Sequence, residues 1–162
     1  MTQQTKKGFT LIELLVVIAI IGVLAGIVLA ALNQARNKGS DAAIKGNLAG
    51  MRAQAEIYFD GNNHYGDVMA AATCPAAAGT TMFFVDTTIR NAIASAGAAS
   101  GAAVTCTAAT SSGGTTPGSN AASWSISAPL KTKPSSNWCV NSSGYSGHGT
   151  STVYGGTTAG CK

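Results

Sequence analysis

The sequence predicts an α+β protein: one long N-terminal α-helix whose C-terminal half packs against a small antiparallel β-sheet head. Three patterns carry that expectation. Leu14 to Leu32 is nineteen residues without a charge, long enough to span a hydrocarbon core of about 30 Å as a helix. Ile44, Leu48, Met51, Ala55 and Tyr58 then step by four, three, four and three, which marks one face of a continuing helix. Near the other end, residues 123–130 read Ser-Trp-Ser-Ile-Ser-Ala-Pro-Leu and alternate, as a strand with one buried face does. At 162 residues the chain has room for one ordinary domain and no more.

The first 32 residues say most about function. A secretory signal peptide has a basic start, an apolar core of roughly 7–15 residues and a small-residue cleavage site. Here the apolar run is longer, and the helical pattern continues past it. A plain membrane anchor has no use for Glu13, because an acidic residue deep in a membrane helix costs roughly 2.5–3.5 kcal/mol and marks a partner. Lys6 and Lys7, then Gly8-Phe9-Thr10-Leu11-Ile12-Glu13, then the long apolar helix, closely resemble the class III signal of type IV pilins and type II secretion pseudopilins. The resemblance covers residues 6 to about 29. The helix beyond is similar in kind, and the head carries no motif that matches residue by residue.

That resemblance implies a leader at 1–8, cut between Gly8 and Phe9 on the cytoplasmic side by a prepilin peptidase that also methylates the new amine of Phe9. A glycine before the cut lets backbone approach the protease closely, and Lys6 and Lys7 hold the leader in the cytoplasm. Residues 9–32 then form the transmembrane segment and, later, the filament core. In the family, the glutamate corresponding to Glu13 pairs with the N-terminal amine of a neighbouring subunit. An unpaired carboxylate in a low-dielectric interior is expensive, and a cation relieves it; the competing arrangement pairs Glu13 with its own chain's amine. Gly22 and Gly26 are spaced as G-x-x-x-G, which lets a second helix come close, although glycine is common in membrane helices in any case. Many family members carry a proline where Ala30 stands, accompanying local helix melting in the filament, and this chain lacks it.

Residues 33–60 form the amphipathic half of the helix, with Arg36, Lys38, Asp41, Lys45, Arg52 and Glu56 off the apolar face. The stretch from Asp60 to Gly66 is turn chemistry and ends it. In the head, 61–162, Asp86-Thr87-Thr88 caps a short helix with Ile89, Ala92, Ile93 and Ala96 on one face, stopped by Gly97. Residues 95–122 are low-complexity Ala, Gly, Ser and Thr and read as a long surface loop. The strand at 123–130 has Pro129 at an edge or strand end. Two further strand candidates, around 137–146 and 151–156, complete a three- or four-stranded sheet resting on the helix. Cys74, Cys106, Cys139 and Cys161 lie beyond the membrane run and read as two disulfides formed in an oxidising compartment, with three pairings open. The resemblance favours Cys139 with Cys161, as in the C-terminal loop of many type IV pilins. That leaves Cys74 with Cys106. In a head with few large apolar side chains such bonds help most.

Little else in the chain points to chemistry. The net charge of +4 is scattered, with no Lys/Arg-rich block, so nucleic-acid binding is not the first reading. Lys131, Lys133 and Trp138 are the only candidate cluster, with Trp138 read as core. His64 and His148 read as solvated turn histidines, and Asp60 and Asp67 as turn formers in place of a Ca²⁺ site. Asn141-Ser142-Ser143 fits a glycosylation triplet, with the Ser/Thr-rich loop an equal candidate for O-linked sugar. No catalytic residue, metal or cofactor is expected, and the chain does not read as an enzyme. The resemblance implies a structural subunit of a type IV pilus-like extracellular filament. Its partners are identical subunits, the prepilin peptidase and assembly machinery, and the inner membrane before assembly. The alternatives are a type II secretion pseudopilin, or a minor pilin that binds DNA or a surface.

Overall fold

The computed structural model describes residues 8–74, 80–111, 118–154 and 158–161. Helix α1 runs Leu11–Asn62 without a break, through Gly22, Gly26 and Ala30. By its internal contacts the chain forms two units, one through Arg36 and one from Asn37 onward. In the first, every large apolar side chain from Phe9 to Leu32 is exposed. The most apolar 18-residue stretch has a mean hydropathy of 3.1, so by length and composition it can cross a membrane.

In the second unit α1 turns a stripe inward: Ile44, Leu48, Met51 and Ala55 are fully buried, and Tyr58 packs half-buried beside them. There follow β1 (Met69–Thr73), α2 (Met82–Val85), α3 (Thr87–Ser100), β2 (Thr105–Ala109), β3 (Ser123–Pro129), β4 (Asn137–Asn141), β5 (Ser146–His148), β6 (Ser151–Tyr154) and β7 (Thr158–Cys161). Strands β1 to β5 form one antiparallel sheet in chain order, and β6 and β7 pair as a separate hairpin. The inner face of the sheet brings Trp124, Ile126 and Val140 onto the α1 stripe together with Ile89 and Ile93 of α3. Trp124 lies at its centre, edge-on to Phe83 at 6.3 Å and to Tyr65 at 6.4 Å, a favoured aromatic geometry.

The predicted fold class holds, with four differences in the head. The sheet has five strands plus a two-stranded hairpin, where three or four were expected. Residues 95–122 are not one long loop. Helix α3 continues through Gly97 to Ser100 and stops at Gly101, whose φ of 67° is left-handed and suits a residue without Cβ. Strand β2 then occupies 105–109, and of that segment only 112–117 lies outside the described residues. Its two Thr favour a strand and its two Ala do not; β2 is a strand because β1 and β3 flank it and satisfy its backbone on both edges. Pro129 does end a strand, but β3 is central and not an edge. Finally, the serine face of β3 is buried. Ser125, Ser127 and Thr107 are each almost fully enclosed, because β6 and β7 lie across β2 and β3.

Candidate functional site

The polar groups of the head are mostly engaged in holding its elements together. Asp41 on α1 is buried, and its carboxylate accepts from the backbone N–H of Lys131 at 2.6 Å, from that of Thr132 at 3.2 Å and from the Thr132 hydroxyl. One side chain thus ties the β3–β4 turn to the helix. A turn of helix further on, Lys45 Nζ sits 4.6 Å from the centroid of the Trp138 ring, a cation–π contact. Trp138 is therefore only half-buried, at the rim of the core and not within it. His148 stands edge-on to the same ring at 5.6 Å and hydrogen-bonds Ser136 through Nδ1 at 2.6 Å; it belongs to strand β5 and not to a turn. Arg52 donates to the Tyr145 carbonyl at 2.6 Å and to Ser146 at 3.2 Å. His64 accepts from the Gly66 N–H at 2.8 Å, Asp67 accepts from the Thr80 hydroxyl, and Asp60 is exposed. The Asn141 side chain is buried, and its Oδ1 accepts from Tyr145 N–H at 2.9 Å and Ser143 Oγ at 3.0 Å. Its amide builds the turn after β4 and is not presented to solvent as a sugar acceptor. Burial, followed by the hydrogen bond to Glu56 and that carboxylate's charge, pushes the Tyr65 phenol up to about 12.

Cys74 is bonded to Cys106, with Cα atoms 5.5 Å apart, and Cys139 to Cys161, with Cα atoms 5.7 Å apart. The first bond links the end of β1 to β2. The second fastens β7 to β4 on the serine side of the sheet, where Cys139 sits opposite Ser127. Among the described residues no cluster of three or more His, Cys, Asp or Glu is placed to hold a metal ion.

At the other end, Gly8 and Phe9 precede the helix and are exposed, Phe9 to 78%. A side chain built on Gly8 would meet nothing within 4 Å. Thr10 is the residue before α1, and Glu13 is third in the helix. The Glu13 carboxylate accepts from Thr10 N–H at 2.8 Å and Thr10 Oγ1 at 2.7 Å, while Glu13 N–H donates to Thr10 Oγ1 at 3.3 Å. This reciprocal arrangement is a capping box. Added methyls on Gly22 and Gly26 would also meet nothing within 4 Å, so that face is open. Lys6 and Lys7 lie outside the described residues.

Residues 4–29 match the family model described as the prokaryotic N-terminal methylation motif. The chain is 41% identical over 68 residues to the type IV wide pilus major component PilA4 of Thermus thermophilus, 52% over 64 residues to the fimbrial protein EcpC of Eikenella corrodens, and 47% over 57 residues to the type IV major alpha-pilin of Moraxella bovis. Over these residues the chain is similar to type IV pilins. The matches cover 42%, 37% and 35% of this chain and 52%, 40% and 36% of the respective relatives, so the likeness belongs to part of the pilin and not to its whole length. No solved structure matches.

Two groups in this chain escaped the sequence reading. Thr10 was legible, since Thr-Leu-Ile-Glu at 10–13 fits the S/T-x-x-E pattern of a capping box. The Asp41 clasp was not, because its partners lie 90 and 91 positions away and no local pattern announces them.

Proposed function

We propose that this chain is a structural subunit of a type IV pilus-like extracellular filament, processed from a membrane-bound precursor and polymerising through residues 9–32. The observation that carries the reading is the exposed apolar helix with a single acidic residue in its first turn. Such a helix has to be covered by lipid or by other helices. In lipid, Thr10 partly satisfies Glu13. In a filament core, the amine freed at Phe9 of a neighbour supplies the cation, and the pair sets register more than it adds net stability. Gly22 and Gly26 let neighbouring helices approach. The relatives named above are pilus or fimbrial components, which supports a pilus subunit over a secretion pseudopilin.

The tests are direct. Mass spectrometry of filaments sheared from the native cell should find this chain beginning at Phe9 with a methylated amine; assembled protein that retains Met1 would exclude the processing step. Gly8→Val, which places a branched side chain at the cut, should leave full-length precursor in the membrane. Glu13→Ala should give a processed, membrane-resident monomer with few or no filaments when it is the only copy. Normal filament numbers from that strain would show that the carboxylate does not guide assembly.

A further inference from the structure

Glu13 and Arg36 bracket the apolar half of α1. Between them lie Leu14 to Leu32 without a charge, then Asn33, Gln34 and Ala35. Arg36 is the first basic residue after Lys7, and it stands 23 positions after Glu13. The helix is unbroken over that interval, so it rises about 35 Å from one residue to the other, at about 1.5 Å per residue. A bilayer is about 30 Å thick in its hydrocarbon and about 40–45 Å with its headgroups. The interval exceeds the first figure and falls short of the second. A helix set across the bilayer therefore has room for both charged residues in headgroup layers, one on each side, with neither in hydrocarbon.

The two ends are provided for differently. The Glu13 carboxylate is held by Thr10 N–H and Oγ1 and lies in the first turn, where the helix dipole favours a negative charge. The Arg36 side chain is exposed and has no hydrogen-bond or ion-pair partner among the described residues. The next carboxylate in the chain, Asp41, is taken up by Lys131 and Thr132. Arg36 thus brings a full set of N–H donors and finds no acceptor in its own chain. We propose that Arg36 grips the phosphate of a phospholipid in the non-cytoplasmic leaflet and so fixes the depth of the segment, with the Glu13–Thr10 box in the cytoplasmic headgroup layer. The guanidinium is a planar fork that matches phosphate oxygens two at a time. Its long stem lets the charge reach that layer while the methylenes stay in apolar surroundings. The Gly8–Phe9 bond, which precedes the helix, then lies on the water side of the cytoplasmic layer. The helix stands within about 30° of the membrane normal, because a larger tilt shortens the interval below about 30 Å and draws one charge into hydrocarbon. The inference rests on the membrane-bound precursor proposed above and names its lipid contact.

The test uses the full chain in vesicles of phosphatidylethanolamine and phosphatidylglycerol, dilute enough to keep copies apart. Solid-state NMR of protein labelled at the guanidinium carbon of arginine reads the dipolar coupling of that carbon to lipid phosphorus. The chain has three arginines, Arg36, Arg52 and Arg90, so about a third of the signal should be dephased, and Arg36→Gln should abolish that fraction. Spin labels at Ile12→Cys and Asn33→Cys should report headgroup depth, one in each leaflet. Arg36→Leu should draw the label at position 33 deeper by roughly one helical turn of 5.4 Å. Arg36→Lys should hold it in place, since the charge remains. A protease-resistant head in every variant separates these shifts from misfolding. Dephasing that survives Arg36→Gln would assign the phosphate to another arginine and overturn the contact. So would a position-12 label in hydrocarbon, or a position-33 label that Arg36→Leu does not move. No coupling in dilute vesicles, with Arg36 paired to a carboxylate of a second copy in concentrated ones, would give Arg36 to a protein partner and also overturn it. A wild-type chain that alkaline carbonate strips from the vesicles is a different result, and it overturns the membrane reading itself.

Discussion

Asp41 is buried, which raises a carboxyl pKa. Three hydrogen bonds from Thr132 and Lys131, with the charge of Lys45, outweigh that and hold it below the usual carboxylate range. A depressed folded pKa means stability that is present above the unfolded value of about 4 and is lost as pH falls through the folded value. The thermal midpoint of the protein should therefore be steady above about pH 5 and fall below about pH 4. Asp41→Asn, which does not titrate, should have the shallower acid slope; equal slopes would show that this group does not govern the fall. Asp41→Ala removes the acceptor of three hydrogen bonds from Lys131 and Thr132 and should cost about 1–3 kcal/mol. At the other end of the chain, Thr10→Val removes the hydroxyl of the capping box. It should loosen the first turn of α1 by about 1 kcal/mol, read as faster amide exchange at Leu11 to Glu13 in micelles. Thr10→Ser should not; identical exchange in both variants would show that the cap does not hold that turn.

The β6–β7 hairpin is the element whose place in the head depends most on covalent chemistry. On the sheet's side it rests on hydroxyls: Ser151 Oγ lies 2.8 Å from Ser125 Oγ and donates to Thr107 Oγ1 at 2.9 Å, and Ser151 N–H donates to Ser127 Oγ at 3.0 Å. Each such bond adds only about 0.5–1.5 kcal/mol net, so the Cys139–Cys161 bond matters out of proportion. The double substitution Cys139→Ser/Cys161→Ser should cost about 2–5 kcal/mol and open the chain to proteolysis near 149–161. Non-reducing peptide maps of the native protein should contain Cys74–Cys106 and Cys139–Cys161 linkages and no free thiol. Other pairings in those maps would contradict the arrangement, and a double variant as resistant to protease as wild type would show that the hairpin holds without its bond.

The full-length chain carries an uncovered apolar helix in one of its units and a folded core in the other. It should stay with membranes through alkaline carbonate washing, and protease added outside spheroplasts should remove residues beyond the membrane segment. Release of the full-length chain by carbonate would contradict membrane residence. What the sequence by itself determined is the set of features written in local periods. A nineteen-residue uncharged run, a 4-3-4-3 apolar stripe and the Gly8–Glu13 motif each lie within a few helical turns, and the hydrophobic effect acts on such patterns whatever the rest of the chain does. The α1 stripe Ile44–Ala55 and the inward side chains of β3 were readable for that reason. Tertiary structure alone decided β1 and β2, the depth at which the serines of β3 lie, and the clasp of Asp41 on Lys131. In β1 and β2 the Thr residues favour a strand and the more numerous Ala residues do not, so the backbone becomes a strand only where a neighbour 14–39 positions away offers N–H and C=O groups. A carboxylate buried beside a turn 90 residues distant is stable only once the fold has brought those N–H groups to it.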